Sequence, residues 1–192
     1  MGHNENMLRP ATPGERLPLE DRADILDLIA LYPLTFDDQC VDEWVNLFTE
    51  DAFLEYSWDF GKQRRPYEFG SGPQFYVKGH DQLRQFALND KAFAEKGGTI
   101  VRRHTQPNTV IRRVSDDVAV ATSLTLITFY GAEGSGDWYP PAHHAPTYIT
   151  GFYRDEFAKL DVGWRFSARS GIFDPAMPPQ WGGQYVDPPA RP

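Results

Sequence analysis

Hydrophobic and polar positions divide the chain into a helical first part and a stranded second part. After eighteen mostly polar, proline-containing residues, Ile25, Leu28, Ile29 and Tyr32 recur at helical spacing. Glu20, Asp21 and Asp24 precede or flank them, and acids suit a helix N-terminus. Pro33 lacks an amide donor and crowds the preceding turn, so the pattern predicts a kink or break there. A second helix is expected over about 41–48, with Trp44, Val45, Leu47 and Phe48 as its apolar positions. Residues 52–58 alternate as a first strand, with Phe53, Glu55 and Ser57 on one side and Leu54, Tyr56 and Trp58 on the other. Gly, Pro and charge crowd 59–73, which reads as a loop, and 75–78 as a short strand. A third helix opens at Gly79-His80-Asp81 and continues through Leu83, Phe86 and Leu88.

From Thr99 on, the period is two. Long strands are expected over 100–114, 118–130, 147–158 and 164–173, separated by a turn at 115–117, a Gly-, Pro- and His-rich loop at 131–146 and a turn at 159–163. In the second of these, Val118, Val120, Leu124 and Leu126 form the apolar face; in the fourth, Trp164, Phe166, Ala168 and Ile172 do. Residues 174–192 carry six prolines and read as a Pro-rich tail. The expected organisation is an extended arm at 1–18, one domain at 19–173 and that tail. Helices followed by an antiparallel meander make an α+β fold. A strongly curved sheet over helices would form a cone whose mouth is a natural ligand cavity.

Within the first long strand, Val101 to Arg112, alternation groups His104, Gln106, Asn108 and Val110 on one face, and Arg103, Thr105 and Ile111 on the other. A histidine with two carboxamides suits a polar group entering a pocket; a solvated sheet face is the plainer reading. Composition narrows the partners. Net charge is −8 and no Lys/Arg block exceeds two residues, which argues against nucleic acid or an anionic membrane. Arg102 and Arg103 read as solvated or interface charges. The single cysteine, Cys40, rules out an internal disulfide and fits a reducing cytoplasm. The polar start is unlike a signal peptide, and no run approaches the ~18–20 apolar residues of a membrane span. Aromatic residues make up 14%, enough to line an apolar cavity or simply to fill a core. His143 and His144 are adjacent in a loop with no third ligand evident, so no metal is expected there.

Several stretches, in order, resemble the SnoaL-like group of the nuclear transport factor 2-like (NTF2-like) superfamily. They are Leu31-Tyr32-Pro33-Leu34-Thr35-Phe36-Asp37, Trp44-Val45-Asn46-Leu47-Phe48-Thr49-Glu50-Asp51-Ala52, Gly79-His80-Asp81-Gln82-Leu83, Arg103-His104 with Asn108, Gly151-Phe152-Tyr153-Arg154-Asp155 and Gly163-Trp164-Arg165-Phe166. The nearest functional analogues look like scytalone dehydratase, hexachlorocyclohexane dehydrochlorinase and bile-acid dehydratase. The resemblance implies that Asp37 and His104 form the acid–base pair and that Tyr32 joins them. Scytalone dehydratase has a second active-site histidine where this chain reads Tyr148-Ile149-Thr150, so the implied mechanism uses one histidine.

Such a pair abstracts a proton beside a leaving group or carbonyl, with the carboxylate fixing the imidazole tautomer. Tyr32, Tyr56 or Asn108 could donate to a developing oxyanion, and Tyr56, Trp58, Asn108, Tyr148 and Phe173 are candidate substrate contacts. The expected activity is that of a cofactor-independent lyase, dehydratase-like, or isomerase on a hydrophobic cyclic or phenolic small molecule. No metal or organic cofactor is required. The alternative is a non-catalytic ligand-binding or assembly subunit, like the β subunit of ring-hydroxylating dioxygenases. A homo-oligomer, dimer or trimer, is expected because a sheet this long leaves an outer face in need of cover.

Overall fold

The computed structural model describes residues 9–58, 75–96, 101–130 and 147–174. The expected loops at 59–73 and 131–146, with His143 and His144, lie outside the described residues, as does the tail beyond Asp174. Among the described residues, three helices, α1 (Leu19–Asp37), α2 (Val41–Val45) and α3 (Gly79–Lys96), accompany seven strands. The strands are β1 (Phe48–Trp58), β2 (Phe75–Lys78), β3 (Val101–Thr105), β4 (Val110–Arg113), β5 (Val118–Tyr130), β6 (Thr147–Leu160) and β7 (Gly163–Phe173). Their order is β2-β1-β7-β6-β5-β3, with β4 also on β5. Neighbours are antiparallel except β1 and β7, which run parallel, so the sheet is mixed. Ahead of α1, a short 3-10 turn at Pro13–Glu15 is tied to the body where the Arg112 guanidinium donates to the Arg9 carbonyl at 2.5 Å. Among the described residues, no helix is long and apolar enough to cross a membrane.

Pro33 does not break its helix: α1 runs through it to Asp37. The reason lies on another element. A proline at 33 leaves the carbonyl four residues back, that of Ile29, without its helical donor. The Gln106 side chain donates to that oxygen at 3.1 Å and closes the gap from outside the helix.

Other expectations shift for physical reasons. The second helix ends at Val45 rather than near Phe48, because Phe48 is taken into β1 beside Phe166 of β7. The expected strand at 100–114 is two strands with a turn between, where Asn108 adopts φ 58°, a left-handed conformation that asparagine tolerates better than most residues. On β5 the buried face is the small one: Ala119, Ala121, Ser123 and Thr125, with Ile127. Leu126 on the supposed apolar face is 37% exposed. Large rings from the neighbouring strand fill the space above that face, since Tyr153 pairs with Ser123 and Phe157 with Ala119. Small residues there avoid overpacking.

β7 changes face midway. Phe157 pairs with Phe166 but Glu156 with Ala168, which leaves Ser167 unopposed as a bulge. Trp164, Phe166 and Ala168 are buried as expected; beyond Ala168 the buried positions are Arg169, Gly171 and Phe173, in place of the expected Ile172. The main core gathers α1, α2, α3 and the inner sheet face around Tyr32, Trp44, Phe48, Phe157, Trp164 and Phe166. A second, smaller cluster joins Ile127, Tyr153 and Phe173, flanked by Tyr56 and Ile149.

The Pro33–Gln106 arrangement predicts a non-additive mutant cycle. Gln106→Ala alone should cost about 1–3 kcal/mol by orphaning a buried carbonyl. In a Pro33→Ala background the helix supplies its own amide, and the same change should cost less, read by urea unfolding of the four proteins.

Candidate active site

Asp37 is the last residue of α1 and His104 the fourth of β3, and α1 packs along this edge strand. The Asp37 carboxylate engages His104 twice. Its Oδ1 lies 2.6 Å from the ring Nδ1, and its Oδ2 accepts the His104 backbone N–H at 2.8 Å. Arg102, two residues earlier on the same face, donates Nε–H to Oδ1 at 3.1 Å. The His104 and Asp37 side chains are 5% and 4% exposed, so the pair is shielded from bulk water.

Burial pushes the Asp37 carboxyl up, but hydrogen bonds and charge from His104, with the Arg102 cation, outweigh it and leave the group below its ordinary 3.8. Burial pushes the imidazole down; Asp37 pulls it back, Arg102 and Arg169 do not, and it titrates below its ordinary 6.5. At neutral pH the pair is therefore a carboxylate and a neutral imidazole. Because a carboxylate only accepts, Nδ1 carries the proton and Nε2 keeps its lone pair.

Tyr32 stands edge-on to this imidazole, ring centroids 6.5 Å apart, at the centre of an aromatic cluster with Phe36, Trp44, Phe48, Tyr153 and Phe166. Its hydroxyl meets that of Tyr56 at 3.1 Å. Burial raises both phenols, so both remain protonated. Whichever donates to the other, one phenolic proton is left for a third oxygen.

Two charged residues behind Tyr32, Arg169 and Asp155, were not legible as part of the site. Arg169, fully buried, forks onto Asp155 at 2.7 and 2.8 Å and donates to the Gln106 side-chain oxygen at 2.9 Å. Its guanidinium carbon lies 3.8 Å from the Tyr32 ring centroid and 4.4 Å from that of Tyr153. Burial raises the Asp155 carboxyl against the pull of Arg169; the two-point geometry fits an ionised pair. The β7 bulge hides Arg169 from simple alternation. Arg102, by contrast, shares the parity of His104 and could have been grouped with it.

The remaining sequence candidates fall in different places. Phe173 is buried beside Tyr56 and Tyr153, ring centroids 5.3 and 6.0 Å away. Trp58 closes β1 in register with Phe173. Tyr148 pairs with Thr128, one position off the alternation that carries Ile149, Gly151 and Tyr153. Asn108 is exposed in the turn, off the strand alternation that grouped it with His104, and so is not an inward-facing donor. A groove of about 570 Å³ opens between α1 and β3, walled by Leu26, Ile29, Ala30, Pro33 and Leu34 and by Arg103, Thr105 and Thr109. Asp37, His104 and Gln106 also border it. Among the described residues, no cluster of three His, Cys, Asp or Glu side chains is placed to hold a metal.

Both members of the pair release protons more readily folded than unfolded, so both favour the folded state above their ordinary titration ranges. Stability should be flat above about pH 7 and fall as pH drops through the histidine range. In His104→Gln the part of this fall between about pH 7 and 5 should shrink, measured by chemical denaturation at fixed pH values.

Solved structures with this fold bear on what the site can be. Rv3472 from Mycobacterium tuberculosis, a protein of unknown function solved in variant form, is 23% identical, with a TM-score of 0.59, covering 82% of this chain and 76% of its own. The β subunit of a candidate aromatic-ring-hydroxylating dioxygenase from Novosphingobium aromaticivorans is 21% identical, with a TM-score of 0.61 over 79% and 88% of the two chains. A candidate scytalone dehydratase from the same organism is 20% identical, with a TM-score of 0.61 over 91% and 96%. No curated protein matches the chain. At these identities the structures show a shared NTF2-like fold. The family model for a SnoaL-like domain matches residues 18–170, and the chain belongs to that family.

Proposed function

We propose that this protein is a cofactor-independent lyase, dehydratase-like, or isomerase that acts on a hydrophobic cyclic or phenolic small molecule. The observation that carries the reading is the 2.6 Å contact between Asp37 and the ring Nδ1 of His104 at a site nearly closed to water. His104 Nε2 takes a proton from carbon beside a carbonyl or hydroxyl-bearing centre. Asp37 holds the ring and stabilises the imidazolium that forms. Tyr32, with Tyr56 behind it, donates to the oxygen that gains charge. The imidazolium then returns its proton, to a departing hydroxide in a dehydration or to a second carbon in an isomerisation.

Size and surface chemistry support the substrate class. The groove beside His104 is largely aliphatic, and its volume is in the usual range for small-ligand sites. The cluster of Ile127, Ile149, Tyr153, Phe173 and Tyr56 offers a second apolar wall. In this reading the sheet bends around that cluster to make a cone. The likeness to a dioxygenase β subunit favours a second reading, an assembly role without chemistry. A buried carboxylate–imidazole pair is costly to maintain and an assembly role does not need it, which favours the enzyme.

On a substrate found by screening dehydration, isomerisation and dehydrohalogenation, His104→Ala should lower kcat about 10²–10⁴-fold. Asp37→Asn should cost a comparable factor through the wrong tautomer, and Tyr32→Phe about 10²–10³-fold as one lost oxyanion donor. Unchanged turnover in His104→Ala and Asp37→Asn, together with copurification of a larger redox subunit, would establish the assembly reading instead.

We also propose self-association through the outer sheet face, where Leu126 is exposed and Leu124, Phe152 and Ile172 are half-buried. Light scattering should return a dimer or trimer; a strict monomer would overturn this.

A further inference from the structure

Arg102 does more than touch Asp37. Its three guanidinium nitrogens are divided between two carboxylates and a helix end. Nε donates to Asp37 at 3.1 Å, Nη1 and Nη2 each donate to one oxygen of Asp90 on α3 at 2.8 Å, and Nη2 also reaches the Phe36 carbonyl at 3.4 Å. The guanidinium lies 4.4 Å from the Phe36 ring centroid. Exposure falls along the row, from 24% at Asp90 and 17% at Arg102 to 4% at Asp37 and 5% at His104.

We propose that Asp90 and Arg102 are positioning residues for the base, the outer half of an Asp90–Arg102–Asp37–His104 relay. Arg102 fixes the Asp37 carboxylate, and Asp90 cancels the Arg102 charge so that Asp37 is left to stabilise the imidazolium. The proposal rests on reading His104 as the base.

Charge alternates along this row. Arg102 alone would neutralise Asp37, and the proton taken by His104 would create an uncompensated cation in a dry site. With Asp90 in a two-point pair on the far side, the row reads minus, plus, minus, and the imidazolium completes it. Arg102 already pushes the imidazole down, as the alternation requires. The other groups around His104 do not substitute for Asp90. On α1 they are Asp37 and Tyr32, the latter a protonated phenol. On β3, Arg103 faces Asp38, 3.6 Å away at the surface. On β7, Arg169 is bound by Asp155 of β6, and β5 presents the uncharged Ile127 opposite His104.

A structural clamp and a charge relay differ in the sign of what each substitution does. The test is NMR titration of the imidazole signals of the full-length protein, with His104→Gln used to assign the His104 resonance. Asp90→Asn should lower the proton affinity of His104 by roughly two- to fivefold, and Arg102→Gln should raise it. Asp90→Glu, which keeps the charge, should lie close to the unmodified protein. Shifts of the same sign in Asp90→Asn and Arg102→Gln, or no shift in either, would overturn the relay even if thermal stability fell. Should Arg102→Gln not fold, the comparison of Asp90→Asn with Asp90→Glu decides, equal titration in the two being the overturning result. Failure here is separable from failure of the enzyme reading. Loss of turnover in His104→Ala with an unmoved titration in Asp90→Asn sinks only the relay; normal turnover in His104→Ala with shifted titrations sinks only the catalytic role.

Discussion

One carboxylate joins the end of a helix to the edge of a sheet. Asp37 accepts from the His104 backbone, the His104 ring and the Arg102 side chain, and it does so almost out of contact with water. A buried carboxylate left unpaired would cost several kcal/mol, so these three donors are a condition of the fold as much as of any chemistry. They also fix where α1 lies, since its last turn cannot move without stranding that charge. The residue that holds the candidate base in one tautomer is thus among the residues that hold the helix on the sheet.

The inner face carries a second polar system, and Gln106 connects it to the helix. Its amide nitrogen satisfies the Ile29 carbonyl that Pro33 strands, while its oxygen accepts from Arg169. Arg169 in turn pairs with Asp155 beneath the Tyr32 ring. Buried ion pairs of this kind contribute little net stability but penalise alternative packings, and this one fixes the orientation of the Tyr32 ring above it. The aromatic cluster around Tyr32 supplies the packing, and the polar row beneath it supplies the register.

Much of this was legible in the residues, and the failures have specific causes. The pattern Ile25, Leu28, Ile29, Tyr32 located α1 because that helix buries one continuous stripe, and two-residue alternation located β5, β6 and β7 even though β7 changes its buried face midway. Motif order brought Asp37 to His104. Pro33 misled because the donor that rescues Ile29 lies 77 positions away on another element. Asn108 misled because a left-handed turn interrupts the alternation on which its grouping with His104 relied. On β5 the larger side chains suggested the core face, yet rings from β6 fill that volume and leave room only for Ala119, Ala121 and Ser123. Arg169, and with it the partner of Asp155, was invisible because a single unopposed residue, Ser167, reverses the face of β7. Each miss is a long-range contact overriding a local rule.

The backbone amide of His104 points away from β5, at the free margin of the sheet, and Asp37 occupies it. Margins of this kind recruit foreign strands when their amides are open. The carboxylate therefore acts as a stopper as well as a partner to the ring. A chain that lost it would expose a hydrogen-bond donor on β3 to any extended segment nearby, and the cost would appear as clumping in crowded solution.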